Sequence, residues 1–289
     1  MSSLSVWVDE SEKDKILVVA CVLAEWAAVP NIVKGWREVK VQLKLPPEAE
    51  IKWNLPHEHP TRQTLEQNGK TTKDLRAEAV EFVKNRDDFT CIAAAMLEQR
   101  KDTLFWRKLW PKASVRDFYC EGLKYLIQRA AEEVVEAELQ DCVVVCDTPE
   151  LGTKPFVFRA IRRGREAVKK AYQDWCRNGV GVGPGREHHD GPLTDIGFHP
   201  SILIGDATYH DMLQIADIIA GVTREWVEAV CMRHTNSWEV HLFKAVSVRF
   251  RRRHGTPDFF GDGFVLWPPK KDCWDRLKKS LGVDDVISC

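Results

Sequence analysis

Two aspartates each follow a short run of residues that has the pattern of a β-strand. Residues 4–8 show the period of two that is typical of a strand before Asp9, and residues 142–146 are wholly apolar before Asp147. A continuous apolar run predicts a central strand that is buried on both faces. Ligands bind at the carboxyl ends of strands in α/β sheets, so these two positions predict a binding site.

The chemistry of this pair depends on whether the two strands are neighbours. If they are, the carboxylates lie side by side, and like charges that close resist joint ionisation unless a cation lies between them. Oxygen ligands suit Mg²⁺ or Mn²⁺, which is the cofactor we predict. Taken singly, Asp9 and Asp147 are explained equally well as residues that cap a turn, because aspartate is common there.

A third acidic residue lies in a late, strongly apolar helix. His210, Gln214 and Asp217 are spaced i, i+4 and i+7 and therefore share one helix face. A solvated polar stripe explains Arg224 and Glu228 farther along. It explains Asp217 less well, because an unpaired carboxylate in apolar surroundings is costly. We therefore predict that Asp217 belongs to the site and that Gln214 and His210 contact substrate.

Glu50 is a weaker candidate, in an irregular stretch that follows two prolines and contains Lys52 two residues later. Glutamate in a charged loop is usually solvated, and Glu48 is an equal candidate by composition. We keep Glu50 as the predicted fourth carboxylate and Lys52 as a residue that contacts a phosphate or orients Glu50.

Zinc and disulfides are not indicated. None of the nine cysteines forms a CxxC pair, which favours reduced thiols in a cytoplasmic protein. His57, His59, His188 and His189 lack companions at the spacing of a zinc site, so we interpret them as loop residues. The first residues have no basic region typical of a signal peptide, and no apolar run approaches the roughly 18 residues that span a bilayer.

Arginine-rich segments predict contacts with phosphate. One is a predicted helix with Arg159, Arg162 and Arg163, and another contains Arg249 and residues 251–253. The net charge of −1, from 42 basic and 43 acidic residues, excludes a general polycation but not a local basic face. Solvated helix faces are often basic as well, and the predominance of arginine favours phosphate.

The elements that must position these residues follow from the apolar pattern. Strands are predicted at 4–9, 16–23, 89–97, 142–146 and 201–204, and helices at 31–44, after a capping box at 71–74, and at 115–134, 157–175 and 212–230. Residues 179–200 are rich in glycine and proline and predict a loop or lid. These elements describe an α/β fold with one mixed sheet of about five strands. The segment after Arg233 has no confident assignment.

Four segments together resemble the domain of unknown function 3800 family, a group of prokaryotic and phage-associated proteins. They are residues 6–11, 50–53, 145–147 and 214–221, and the resemblance extends from about residue 4 to about residue 230. It implies a ribonuclease H-like fold with a long hairpin, helices on both faces and an acidic cluster. It also implies a domain at 1–232 with an insertion at about 30–88, and a C-terminal extension at 233–289 packed on the same domain.

Carried over by position, the acidic cluster comprises Asp9, Glu50, Asp147 and Asp217, with Gln214 beside it. Two features depart from the family pattern. Glu12 replaces a glycine, and Glu50 precedes the third predicted strand, whereas the second acidic residue of ribonuclease H-like nucleases usually follows it. Glu98, just after that strand, is therefore the rival of Glu50.

The resulting prediction is a divalent-metal-dependent phosphodiesterase, best described as a nuclease acting on DNA or RNA through two Mg²⁺ or Mn²⁺ ions. The alternative is a non-catalytic binding or regulatory module linked to phage defence or mobile elements, because fold does not decide function. Phosphoester chemistry on a small nucleotide is a third possibility. The 11 tryptophans permit a homodimer, and no membrane partner is expected.

Overall fold

The computed structural model describes residues 2–283 apart from 14–15, 98–114, 148–163, 182–188, 234–237, 254–255, 257 and 268. The strands are β1 (Ser3–Lys13), β2 (Ile16–Glu25), β3 (Thr90–Leu97), β4 (Asp141–Cys146), β5 (Leu203–Ile204) and β6 (Phe264–Trp267). The helices are α1 (Val29–Gln42), α2 (Pro60–Gln67), α3 (Thr72–Asn85), α4 (Val115–Glu136), α5 (Gly164–Asn178), α6 (Asp211–Val227), α7 (Trp238–Val246) and α8 (Lys271–Ser280).

The six strands form one mixed sheet in the order β5-β4-β1-β2-β3-β6. The pairs β1–β2 and β2–β3 are antiparallel, whereas β1–β4, β4–β5 and β3–β6 are parallel. The α/β class and the mixed sheet with flanking helices are as predicted. The expected count of about five strands was one short, because β6 comes from the segment that had no assignment.

Apolar side chains on the two faces of the sheet form two cores. Leu4, Val6 and Val8 of β1 point to the face that α4 and α5 cover. Trp7 points to the opposite face, where α1, α3, α6 and α7 pack. The alternation follows from the strand period of two, and it places Asp9 on the same face as Trp7.

Several element boundaries differ from the sequence expectations for local reasons. Helix α1 begins two residues earlier than predicted, with Pro30 in its first turn, where a missing N–H costs nothing. The capping box is confirmed: the Thr71 side chain accepts from the Asp74 N–H, and the Asp74 side chain accepts from the Thr71 N–H. Helix α6 ends at Val227 and continues as a π-helical segment, Glu228–Arg233.

Two further helices, α7 and α8, follow α6 in the segment that had no assignment. In the predicted lid, the described part contains a 3₁₀ turn, Leu193–Ile196, whose Leu193 is buried. None of the described helices has the length and apolar character needed to cross a bilayer.

Candidate active site

Asp9 and Asp147 lie side by side because β1 and β4 are parallel neighbours. Val8 pairs with Cys146, and the Asp147 N–H donates to the Val8 carbonyl at 2.9 Å. The expectation that Asp9 ends its strand was wrong, since β1 continues to Lys13 in its pairing with β2. Its parallel neighbour β4 ends beside Asp9 instead, so the carboxyl end of β4 still lies next to Asp9.

Helix α6 brings Asp217 to the same face of the sheet. The Trp53 N–H donates to Asp217 Oδ2 at 2.5 Å, which ties the loop after α1 to the helix. Gly221 lies one turn farther along α6, and a Cβ at this position would overlap the Trp53 ring. A glycine is therefore required where the indole packs against the helix.

Gln214 is buried and organises the walls of the site rather than its interior. Its Oε1 accepts from Trp36 Nε1 and from the Ile51 N–H, both at 3.2 Å, and its Nε2 donates to the Ala207 carbonyl at 2.8 Å. Because these bonds engage both ends of the amide, its position indicates support of two loops rather than the predicted contact with substrate. His210 immediately precedes α6 and is exposed.

Glu50 reaches the site from the segment between α1 and α2. Its Oε1 forms an ion pair with Lys52 Nζ at 3.0 Å, and its Oε2 lies 3.2 Å from His59 Nε2. The Thr61 N–H donates to His59 Nδ1, so a neutral His59 carries its hydrogen on Nε2. This Nε2–H donates a hydrogen bond to Glu50. His59 was interpreted only as a loop residue, but it caps α2 and holds Glu50 in place.

Of the two rivals of Glu50, the structure describes Glu48. Glu48 is exposed and does not line the cleft formed by these carboxylates. Glu98 lies outside the described residues.

The carboxylates line an open cleft of about 500 Å³. Its residues, here called the acidic cleft, are Asp9, Glu10, Ser11, Glu12, Glu50, Lys52, Asn54, Asp147, Asp206, Thr208 and Asp217. Lys52 is the basic residue among the described residues that line it. The cleft therefore brings together the four predicted carboxylates and Lys52.

Three further carboxylates of the cleft were missed in the sequence: Glu10, Glu12 and Asp206. Asp206 lies just beyond β5, so the signal that identified Asp147, an aspartate after an apolar run, was available for it as well. Glu10 directly follows Asp9, and strand alternation turns it to the opposite face of β1 from Asp9.

Burial and mutual repulsion disfavour the charged forms of these carboxylates. Asp9 is 6% exposed, and its burial, followed by Asp217, Glu10 and Asp147, raises its pKa well above the ordinary value. Burial and the charges of Asp147 and Asp217 raise the pKa of Glu10 to about 8. Burial also raises the pKa of Asp217 to about 6, although the Trp53 N–H opposes the shift.

These features fit an oxygen-liganded divalent cation, which would neutralise the cleft. Although part of Glu10 is exposed, its Oε2 is buried and has no hydrogen-bond partner among the described residues. The donors are carboxylates, which suit Mg²⁺ and Mn²⁺. In the described part of the chain, however, no three His, Cys, Asp or Glu side chains already form a set that could hold one ion. Carboxylate rotation would therefore have to accompany binding.

Of the two arginine-rich segments predicted to contact phosphate, the structure describes the arginines of the second. Arg159, Arg162 and Arg163 lie outside the described residues. In the second arginine cluster, Arg251 is buried and binds three glutamates of α4, and Arg249 donates to the Lys84 carbonyl. Arg251 is thus fully engaged within the fold, so the phosphate-contact hypothesis was wrong for it, whereas for Arg249 it stays a prediction.

The solvated-stripe interpretation of Arg224 was also wrong. This residue is 1% exposed, and its Nε donates to Ser11 Oγ at 3.0 Å. Glu225 and Glu228 supply its counter-charges. Arg224 therefore links α6 to β1 just beyond the acidic cleft.

Comparison with known proteins gives no functional assignment for this chain. No family model matches the sequence, and no curated protein is significantly similar to it. The geometry and charge of the acidic cleft are therefore the basis for a function.

Proposed function

We propose that this protein is a divalent-metal-dependent phosphodiesterase, and specifically a nuclease acting on DNA or RNA. One observation carries the proposal: Asp9, Glu50, Asp147 and Asp217 come from four separate segments and line one cleft. Such convergence is costly for a metal-free protein, because like charges that are partly buried repel one another. Mg²⁺ or Mn²⁺ bound by these four residues would offset that cost.

The proposal includes membership of the domain of unknown function 3800 family and a ribonuclease H-like fold. Three features support it: the long β1–β2 hairpin, the helices on both faces of the sheet, and the acidic cluster at one edge. The four carboxylates that the resemblance implies line this cleft, which supports the proposal.

When bound, two such ions activate a water molecule and stabilise the leaving oxygen of a phosphodiester. The residues of the chain have separate tasks around that chemistry. Lys52, with about a third of its side chain exposed, holds Glu50 at 3.0 Å and is near enough to the cleft to contact a phosphate oxygen. His59 fixes the other oxygen of Glu50, so the carboxylate is positioned before substrate arrives.

The test is a calorimetric Mn²⁺ titration of the wild type beside Asp9→Asn and Asp147→Asn. We expect the wild type to bind and both variants to lose binding, because each amide removes one negative charge and one ligand oxygen. Asp141→Asn is a matched control, since Asp141 begins the same strand, is exposed and lies at its opposite end. It should bind as the wild type does.

Metal-dependent cleavage is then measured on single- and double-stranded DNA and RNA. Cleavage by the wild type and by Asp141→Asn, but not by Asp147→Asn, is the expected pattern. Cleavage that survives Asp147→Asn contradicts the assignment.

One observation favours the non-catalytic alternative, a nucleic-acid-binding or regulatory module. The carboxylates of the described structure do not already form a three-ligand set. Nucleic-acid binding by the wild type without Mn²⁺ binding or cleavage would support this alternative over the nuclease.

A further inference from the structure

Two aromatic side chains lie exposed on the face of the sheet that carries Asp9: Tyr209, in the loop that lines the acidic cleft, and Trp26, which follows β2. Tyr209 is 80% exposed and Trp26 is 50% exposed, and Leu203 on the same side is 46% exposed. Single exposed apolar residues need no explanation, but a group of them next to a cleft indicates a binding surface.

The rings form a row that leads to the cleft. The Trp26 and Trp7 rings are stacked with centroids 6.1 Å apart, and Trp7 lies 6.2 Å from the His210 ring. Trp7 shares its face of β1 with Asp9, two residues farther along the strand. We call Trp26, Trp7, His210 and the adjacent Tyr209 the ring row.

The loop that carries Tyr209 and His210 is held in place by hydrogen bonds. The Ala207 N–H donates to Asp147 Oδ1 at 3.2 Å, and the Tyr209 N–H donates to the Asp206 carbonyl at 3.0 Å. The same loop presents Asp206 and Thr208 to the cleft. Binding at the ring row would thus cost little ordering of the backbone, and it would be fixed in distance from the carboxylates.

We propose that the ring row is a subsite for the unpaired bases of a single-stranded nucleic acid whose phosphodiester lies in the acidic cleft. The inference rests on the proposed function, because the cleft supplies the phosphate position. Aromatic rings suit the flat faces of bases, and these faces are available in single strands but covered in a duplex. Trp7 is buried and supports the row, whereas the exposed rings of Trp26, His210 and Tyr209 offer stacking surface that matches bases better than phosphates.

A second copy of the chain is a poorer fit to this surface. A stable protein interface uses roughly 20–30 residues on each side, whereas the ring row and Leu203 comprise five side chains. A strand that contacts a few rings and one cleft needs no larger area.

The test compares two fluorescent probes, a short oligothymidylate and the same backbone with abasic sites, with Ca²⁺ in place of Mn²⁺. We expect the wild type to bind the base-containing strand more tightly than the abasic one. Trp26→Ala and Tyr209→Ala should each weaken binding of oligothymidylate about tenfold and leave abasic binding unchanged. Trp26→Phe, which keeps a ring, should retain most of the affinity.

Trp238→Ala is the matched control, because Trp238 is 44% exposed at the start of α7 and does not belong to the ring row. Equal binding of both probes by the wild type overturns the inference, as does no binding of either. It is also overturned if Trp238→Ala weakens binding as much as Trp26→Ala. A fall in particle mass on light scattering for Trp26→Ala, with binding unchanged, would make the surface an interface between copies instead.

The experiments distinguish failure of the ring row from failure of the proposed nuclease. Base-dependent binding without Mn²⁺-dependent cleavage would keep the ring row and reject the nuclease. Cleavage without any preference for bases would keep the nuclease and reject the ring row.

Discussion

Asp9 and Glu10 are neighbours in the chain, yet they reach the acidic cleft from opposite faces of one strand. Burial raises the pKa of both side chains, and the charge of Glu10 adds to the shift of Asp9. At the scale of single residues, the cleft therefore holds charge that the metal-free fold does not balance. Stability, and not only activity, should depend on the protonation of these groups.

We predict that the metal-free protein loses stability as pH rises from about 5 to about 8. The pKa of Glu10 is raised from 4.5 to about 8 in the folded state, so the folded state keeps a proton that the unfolded chain has already released. The stabilisation is complete below the unfolded pKa and disappears as pH passes the folded one. Asp217, with its pKa raised to about 6, contributes in the lower part of this range.

Glu10→Gln should therefore flatten this dependence, by a few kcal/mol over the range, in urea unfolding with EDTA present. Glu78→Gln serves as the control, because Glu78 is exposed on α3. Parallel losses of stability in the wild type and Glu10→Gln would contradict the expectation.

Prediction from sequence succeeded where the signal was local. Asp147 follows five apolar residues and could be identified from them, and Asp206, two residues after the apolar residues 202–204, carries the same kind of local signal although it was not assigned to the site. The role of Gln214 could not be predicted, because its partners Trp36, Ile51 and Ala207 are distant in the chain or lie in irregular segments. The helix spacing placed Gln214 on one face but did not say what covers that face.

At the scale of elements, the contact between α6 and the loop around Trp53 positions Asp217, which lines the cleft. Gly221 allows the Trp53 indole to lie against the helix, and the Trp53 N–H donates to Asp217. One contact thus controls both the packing of the loop and the place of a predicted ligand.

Gly221→Ala should destabilise the protein by about 1–2 kcal/mol. Overpacking costs about 1–3 kcal/mol, and the better helix propensity of alanine returns up to about 1 kcal/mol. Movement of Trp53 should also weaken Mn²⁺ binding through Asp217. Urea unfolding and the Mn²⁺ titration measure the two effects.

Gly35→Ala in α1 is the comparison, because the nearest atom to an added Cβ there is the end of the flexible Arg86 side chain. It should cost less stability and leave Mn²⁺ binding unchanged. A neutral Gly221→Ala would show that the loop can move without harm.

Helices and strands, like the site residues, could be predicted where the signal lies close by in the sequence. The hairpin strands, the capping box and the long helix α4 follow from period and composition. Strand β6 has only four residues, and it is fixed by pairing with β3, about 170 residues earlier in the chain. No pattern inside β6 specifies that partner.

At the scale of the whole molecule, the C-terminal part is bound to the rest by charge as well as by the sheet. Arg251 is 3% exposed, and its guanidinium contacts Glu132, Glu133 and Glu136 at 2.7–3.0 Å. These glutamates lie on α4, on the opposite face of the sheet from α6. The segment after α7 therefore connects the two layers of helices.

Arg251→Met should lower the free energy of unfolding by about 2 kcal/mol in urea. Removing one partner of a fully buried pair costs about 3–5 kcal/mol, and the loss is smaller here because Glu136 is half exposed. Arg253→Met, at an exposed arginine two residues later, should be nearly neutral. Equal losses in the two variants would mean that Arg251 acts through general charge and not through its three partners.

The pairing of β6 with β3 also has a consequence during synthesis of the chain. β3 is buried along almost its whole length in the finished protein, and β6 is the last of the six strands to be made. While residues 264–267 are still on the ribosome, one side of β3 is an open, apolar strand edge. Such edges recruit strands from other chains, so the unfinished chain is exposed to aggregation during that interval.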